Sequence, residues 1–265
     1  MVRFSRRGGE RFSDPSVPRP VDERGRKRPG SRSRRVVVGI DLAGSPLRRT
    51  GFCRLGPGLW GRTEVLGSDE EILAATISAR PAIVAIDAPL ALPLGRRSLD
   101  VPGPPHLRAC DRALLDLGIR FFPVTLGPMR TLTARGMALA GTLRRRGFRV
   151  IEAYPGGAQD VLGLPRKGGG EERLRRALVR FGFRGDVERR GLTHDELDAI
   201  ACAYTGREHL AGRSLVLGSP DEAELVLPRP RSEPYVGRVR ASEASQRGDH
   251  GQPRHFARLG SARPS

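Results

Sequence analysis

Three short apolar runs, each carrying a carboxylate at or near its end, constrain this chain more than any other feature of its sequence. Residues 36–40 run into Asp41, residues 82–86 run into Asp87, and residues 148–153 carry Glu152. Apolar runs of this length, bounded by turn residues, are typical of strands buried in a sheet. A carboxylate at the end of such a strand is costly unless a cation or a donor meets it. Because sites in open α/β sheets form at the carboxyl ends of the strands, we expect these acids to share one pocket.

The remaining pattern alternates strands with helices. Residues 50–55 and 60–66 predict two further strands, which form an antiparallel meander with the first. Residues 154–157 (YPGG) predict a stop after the strand at 148–153. Helices are predicted at 69–80 with Ser68 as cap, 105–117, 129–146, 171–181 and 194–203 with Thr193 as cap, before a closing hairpin at 215–217 and 225–227. This order predicts an α/β domain over residues 35–228, with a mixed five-stranded sheet, meander first and parallel strands after, flanked by helices.

The helix after Thr193 adds two acids to the set. Asp195 and Asp198 are three residues apart, so they share one helix face. Five carboxylates in one pocket repel each other unless a divalent ion neutralises them, and oxygen ligands suit Mg²⁺ or Mn²⁺. A pair of such ions would activate a water and stabilise the leaving oxygen of a phosphodiester. We therefore predict a site of two metal ions at Asp41, Asp87, Glu152, Asp195 and Asp198.

Four of the five acids also have an interpretation in which they serve only the fold. Asp41 and Asp87 are suited to turns or caps. Glu152 could pair with one of the many arginines, and Asp195 could stabilise the helix dipole. Asp198 is harder to explain in this way, since apolar residues surround it in the sequence.

Three further residues are weaker candidates for substrate binding. Arg108 could clamp a phosphate or pair with Asp111 on the same helix. His194 could orient an attacking water or lie on the surface at a helix start. Tyr154 could line the pocket or serve only the turn in which it lies. Cys202, on an apolar helix face, is predicted to be a core thiol.

The charge points to a polyanionic partner. The chain has 47 Lys and Arg against 29 Asp and Glu, a formal net charge of +18. Residues 1–34 carry +7 and residues 229–265 carry +5, in segments rich in Pro, Ser, Gly and Arg that lack hydrophobic periodicity. We predict two disordered basic tails that attract nucleic acid, DNA or RNA, by counterion release. An alternative remains open, because only two of the basic residues are lysines. Such a skew towards Arg is also typical of a GC-rich genome, in which the basic tails would reflect compositional drift and have no binding role.

Other classes are excluded by what the chain lacks. No apolar stretch approaches the 18 residues of a membrane-spanning helix, and no apolar segment typical of a secretory signal follows the charged start. Three widely spaced cysteines favour neither a disulfide scaffold nor a zinc site. We expect a cytoplasmic protein with reduced thiols and no membrane partner.

Four segments resemble a domain family of unknown function whose members are described as predicted nucleases with an RNase H fold. They are residues 38–45 (VGIDLAGS), 85–90 (AIDAPL), 151–155 (IEAYP) and 194–201 (HDELDAIA). The resemblance covers residues 35–228 and extends to the RuvC-type resolvases of the wider superfamily. It implies metal-binding and catalytic roles for Asp41, Asp87, Asp195 and Asp198. It offers no clear counterpart for Glu152. Because RuvC-type enzymes often dimerise, it also allows a homodimer.

Two alternatives to a metal-dependent nuclease remain open. One is a non-catalytic nucleic-acid-binding protein with the same fold. The other is an ATP-dependent phosphotransferase of the sugar kinase and actin superfamily. Residues 39–45 resemble the first phosphate loop of that superfamily. That superfamily duplicates its core, for which this chain is short, and no second Asp-x-Gly loop is present.

Overall fold

A mixed sheet of eight strands runs through residues 35–230, the part of the chain that the computed structural model describes. The strands are β1 (Val37–Asp41), β2 (Thr50–Leu55), β3 (Trp60–Leu66), β4 (Ile83–Asp87), β5 (Val150–Ala153), β6 (Arg184–Gly185), β7 (Ser214–Leu217) and β8 (Leu225–Pro228). They lie in the order β6-β3-β2-β1-β4-β5-β8-β7. β1, β2 and β3 form the antiparallel meander, while β4, β5 and β8 continue in parallel from β1.

The predicted α/β class and mixed sheet are therefore confirmed, but the count of five strands is wrong. The closing hairpin does not stand apart: β8 pairs with β5, which adds β7 and β8 to the sheet. At the other edge, the two-residue β6 pairs with β3. Its two residues are too few to produce a strand pattern in the sequence.

Seven α-helices accompany the sheet within the described residues. They are α1 (Asp69–Ala79), α2 (Ala109–Asp116), α3 (Gly127–Arg145), α4 (Pro155–Leu162), α5 (Glu171–Phe181), α6 (Asp186–Arg189) and α7 (His194–Leu210). The capping boxes predicted at Ser68 and Thr193 are both present. α2 begins four residues later than predicted, because Arg108 is extended and serves as its N-cap.

β5 ends at Ala153, as residues 154–157 predict, but these residues also begin a helix, α4, that the sequence did not predict. Pro155 takes the first helical position, where its missing N–H costs nothing. Gly157 lets this helix approach its neighbours closely, since a Cβ there would lie 2.9 Å from Cδ1 of Tyr154 and 3.0 Å from Cδ2 of Leu227. The YPGG segment therefore starts a helix against β8.

Side chains alternate between two apolar layers on the faces of the sheet. Val38 and Ile40 pack with residues of α1 and α3 on one face, such as Ile72 and Leu139. Val37 packs with residues of α5 and α7 on the other face. Because successive side chains of a strand point to opposite faces, this alternation also fixes the face on which each terminal acid lies.

Glycines let α7 lie directly on the sheet. A Cβ on Gly39 of β1 would lie 2.1 Å from the carbonyl oxygen of Ala199, and one on Gly51 of β2 would lie 1.9 Å from that of Asp195. No side chain larger than hydrogen fits at either position.

Among residues 35–230, no helix is both long and apolar enough to cross a membrane. The predicted tails lie outside the described residues, apart from positions 229 and 230.

Candidate active site

Asp41 and Asp87 are neighbours at the carboxyl ends of two adjacent parallel strands. They end β1 and β4 and are direct register partners. Asp41 follows Val37 and Gly39 in the alternation, and Asp87 follows Ile83 and Ala85, so both lie on the face that α7 covers. Both are half-buried. The sheet thus brings together two acids that are 46 positions apart in the sequence.

α7 adds Asp195 and Asp198 to the same face. Gly51, the register partner of Asp41 on β2, touches the backbone of Asp195, which places the first turn of α7 beside the end of β1. Asp198 lies one turn further on and is buried, and its Oδ1 accepts a hydrogen bond from Nε2 of Gln159 at 2.6 Å.

Cys202 of α7 packs with Ala85 and Ala153, near the ends of β4 and β5. Burial raises the pKa of Cys202 well above its ordinary value, and the negative charges of Asp87, Asp41 and Asp198 raise it further. The prediction of a core thiol is confirmed, since Cys202 has no exposed surface.

Two cavities open at this edge of the sheet. The first, of about 310 Å³, is lined by Asp41, Asp195, residues 42–44, and the exposed Arg48 and Arg49. The second, of about 230 Å³, is lined by Asp87, Glu152, Tyr154 and mostly apolar side chains. Asp41 and Asp195 thus line one cavity and Asp87 and Glu152 the other, while Asp198 lines neither.

Glu152 lines the second cavity together with Asp87, but it differs from Asp87 in its face of the sheet and in its partners. Its register partner on β4 is Ile86, so its side chain leaves the sheet on the face opposite to Asp87. Arg108 donates to both of its oxygens, at 2.7 and 2.8 Å, and the N–H of Leu90 donates at 2.8 Å. Burial raises the pKa of Glu152, and the charge of Arg108 opposes that rise. The alternative of pairing with an arginine is what the structure shows; the ligand role stays a prediction.

Arg108 is buried between two carboxylates. Besides Glu152 it donates to both oxygens of Asp111, from Nη2 at 2.9 Å and from Nε at 3.2 Å, and only 2% of its surface is exposed. The expected pairing with Asp111 is therefore present. A guanidinium committed in this way holds the loop before α2 and has few donors left for a phosphate.

Tyr154 and His194 are also engaged by the protein. The hydroxyl of Tyr154 donates to the carbonyl oxygen of Arg120 at 2.6 Å and accepts from Arg166 at 3.2 Å. It nevertheless lines the second cavity. The ring of His194 lies 3.9 Å from Glu171 at the start of α7, and it lines neither cavity. Its interpretation as a helix-start residue therefore fits better than a role at the site.

No metal cluster is assembled among residues 35–230. Within them, no group of three or more His, Cys, Asp or Glu side chains is placed so that it could hold a metal ion as it stands. The chemistry of the donors is nonetheless right for a hard divalent cation, because Asp41, Asp87, Asp195 and Asp198 offer only carboxylate oxygens.

A comparison with known protein families decides the classification. Residues 39–223 match the model of a family described as "Protein of unknown function (DUF429)". The chain belongs to the DUF429 family. Searches of curated proteins and of solved structures found no match. The matched segment of this DUF429 protein contains all the acids discussed above.

Two supporting residues of the DUF429 domain were missed from the sequence. Gln159 donates a hydrogen bond to Asp198, but it lies on α4, a helix that the sequence did not predict. Arg135 of α3 donates to the carbonyl oxygens of Ala43 at 2.6 Å and Ser45 at 3.0 Å, so it fixes the loop after Asp41. The available indication for Arg135 was a single charged residue within the otherwise uncharged segment 131–143.

Proposed function

We propose that this DUF429 protein is a metal-dependent nuclease that hydrolyses phosphodiester bonds of nucleic acid, with Asp41, Asp87, Asp195 and Asp198 holding Mg²⁺ or Mn²⁺. The observation that carries the proposal is the register pairing of Asp41 with Asp87 on the face covered by the acidic end of α7. Two carboxylates at adjacent strand ends repel each other, and a divalent cation relieves that cost.

The order of the central strands supports the same proposal. β3-β2-β1-β4-β5, with an antiparallel meander followed by parallel strands, is the arrangement implied by the resemblance to RNase H-like domains. In the RuvC-type enzymes of that superfamily, acids on the first and fourth strands and an acidic pair on the last long helix hold the metals. β1, β4 and α7 carry acids at the matching positions of this chain.

Divalent ions bound there would supply an activated water and stabilise the leaving oxygen. The protein's own residues prepare the site. Gln159 orients Asp198, and Arg135 fixes the loop that follows Asp41. Glu152 is left out of the proposed ligand set, because Arg108 and Leu90 already occupy its oxygens and it leaves the sheet on the other face.

A basic rim supports nucleic acid as the substrate. Arg48 and Arg49 are exposed and line the cavity that holds Asp41 and Asp195. Cations beside a carboxylate pair attract phosphates that the acids alone would repel. The net charge of +18 adds long-range attraction to any polyanion.

The test is cleavage by the purified full chain in Mn²⁺ of single-stranded, duplex and branched DNA and RNA. We expect wild-type protein to cut at least one of these substrates and Asp41→Asn to be inactive. Asp116→Asn, at an exposed carboxylate on α2, is the matched control and should cut normally. Mn²⁺ should also raise the melting temperature of the wild type but not of Asp41→Asn. Equal activity, or equal inactivity, of wild type and Asp41→Asn on every substrate would refute the proposal.

One observation favours a second candidate, a non-catalytic nucleic-acid binder. The described residues contain no ready metal cluster. Such a binder would hold nucleic acid equally well in EDTA and in Mn²⁺ and would cut nothing. A pure binder gains nothing from acids that face phosphates, which is why the nuclease is preferred.

A further inference from the structure

The second cavity differs from the first in its chemistry. Its wall is mostly apolar, with Leu114, Met129 and Leu132 among its lining residues, and Asp87 lies at its edge. Its volume of about 230 Å³ has room for one aromatic ring system but not for a segment of folded polypeptide. A cavity that adjoins the proposed site yet is lined by apolar groups is unsuited to the charged backbone of a nucleic acid.

An aromatic side chain at this cavity is left free by the fold. Phe122, in the loop between α2 and α3, lines the cavity and is 68% exposed. Its neighbour Phe121 packs against a core cluster, whereas Phe122 belongs to none among the described residues. An exposed phenylalanine costs hydration free energy, and its flat face is a surface on which bases stack.

The charges around the cavity select a neutral occupant. Arg108 is shared by Glu152 and Asp111, and Asp87 adds another carboxylate, so the lining is anionic in sum and repels a phosphate. Outside it lies the exposed Arg120, whose carbonyl oxygen binds the hydroxyl of Tyr154. These charges favour a nucleotide whose base enters the cavity and whose phosphate stays outside it.

We propose that this cavity takes an unpaired nucleobase, stacked on Phe122, and so makes the protein selective for single-stranded or locally unpaired nucleic acid. The inference rests on the proposed function, because it names the form of substrate that reaches Asp87. A paired base lies inside its duplex and cannot enter, whereas a base in a single strand or at a branch can.

The experiment measures binding of short fluorescent oligonucleotides in EDTA, so that it needs neither metal nor cleavage. We expect Phe122→Ala to weaken binding of single strands about tenfold, which is the usual scale for one stacked base, and to leave duplex binding unchanged. Phe122→Trp should retain the affinity. Trp60→Ala is the matched control: Trp60 is also exposed and lies beside Arg189, but at the start of β3, towards the other end of the strands. It should change nothing.

A second readout reports stacking itself. 2-Aminopurine in a single strand should be quenched by wild-type protein and by Phe122→Trp but not by Phe122→Ala. DNA and RNA strands are compared in parallel. If Phe122→Ala binds single strands as tightly as wild type, or if Trp60→Ala loses as much affinity, the inference is wrong even where the wild type still cuts in Mn²⁺. If the wild type binds no nucleic acid in any condition, the proposed function itself fails.

Discussion

Asp87 and Glu152 look alike in the sequence and both line the second cavity, yet their side chains leave opposite faces of the sheet. Each lies at or near the end of an apolar strand, and the two strands are neighbours in the sheet. Asp87 pairs in register with Ala153, whereas Glu152 pairs with Ile86, one position earlier. A shift of one residue changes the face of a sheet on which a side chain lies. Asp87 therefore meets Asp41 and α7, and Glu152 meets a buried arginine. The register therefore decides which of these two carboxylates lies beside Asp41 and which one meets Arg108.

The largest expected effect tests the structural half of this comparison. Arg108→Met leaves Glu152 and Asp111 buried without their cation, and breaking such a buried pair costs about 3–5 kcal/mol of unfolding free energy. Arg112→Met, at an exposed arginine on the same helix, should change it by less than about 0.5 kcal/mol. Urea denaturation measures both. If Arg108→Met does not fold, Glu152→Gln is measured in its place. Equal stability of Arg108→Met and Arg112→Met would contradict a stabilising role for the ion pairs of Arg108 with Glu152 and Asp111.

The next effect tests the functional half. Asp87→Asn should lower Mn²⁺-dependent cleavage by at least about 100-fold and leave urea unfolding unchanged. Substituting a residue that only hydrogen-bonds to a metal ligand costs up to about 100-fold, and a ligand itself should cost no less. Glu152→Gln should do the reverse, losing stability while the folded fraction still cuts. If Glu152→Gln instead abolishes cleavage without unfolding, Glu152 belongs to the ligand set after all.

A smaller effect concerns Gln159. Gln159→Met removes the donor to Asp198 and should lower cleavage about tenfold, as expected for a residue that orients a ligand. Higher Mn²⁺ should restore part of the rate, because the carboxylate itself remains. Steady-state rates over a Mn²⁺ titration measure this. A loss that no concentration of Mn²⁺ relieves would mean that Gln159 serves packing alone.

The smallest effect is a pH dependence at another buried acid, Glu196. Burial raises its pKa, but hydrogen bonds from Arg190, the N–H of Thr193 and the hydroxyl of Thr63 outweigh this, so its pKa lies below the ordinary value of 4.5. A carboxyl with a lowered pKa in the folded state stabilises the fold above the unfolded value, and the stabilisation is lost as the pH falls through the folded value. We expect Glu196→Gln to cost about 1 kcal/mol at pH 7 and less below pH 4.5. Urea midpoints at both pH values check this, and a cost that does not change with pH would contradict it.

Much of the local structure was predictable from short-range patterns. β2, β3 and α5 have the predicted bounds, and Ser68 and Thr193 cap their helices as expected. α4 was missed because a Pro-Gly-Gly segment forms a helix only where its glycines gain from close packing, and that packing is against distant residues. The presence of Asp41 and Asp87 at one edge of the sheet was predicted from their strand ends, but their pairing in register was not. The partners of Glu152 and Asp198 did not, since Arg108 and Gln159 lie 44 and 39 positions away from them.

The sequence by itself determined the bounds of β2, β3 and α5, which acids end the strands and which acids share a face of α7. These properties depend on residues within a few positions of each other. Only the tertiary structure decided the register between β4 and β5 and the burial of Arg108 between two acids. Both depend on which distant segments pack together, and a register shift of one residue, invisible in either strand alone, separates the candidate metal ligand Asp87 from the structural Glu152.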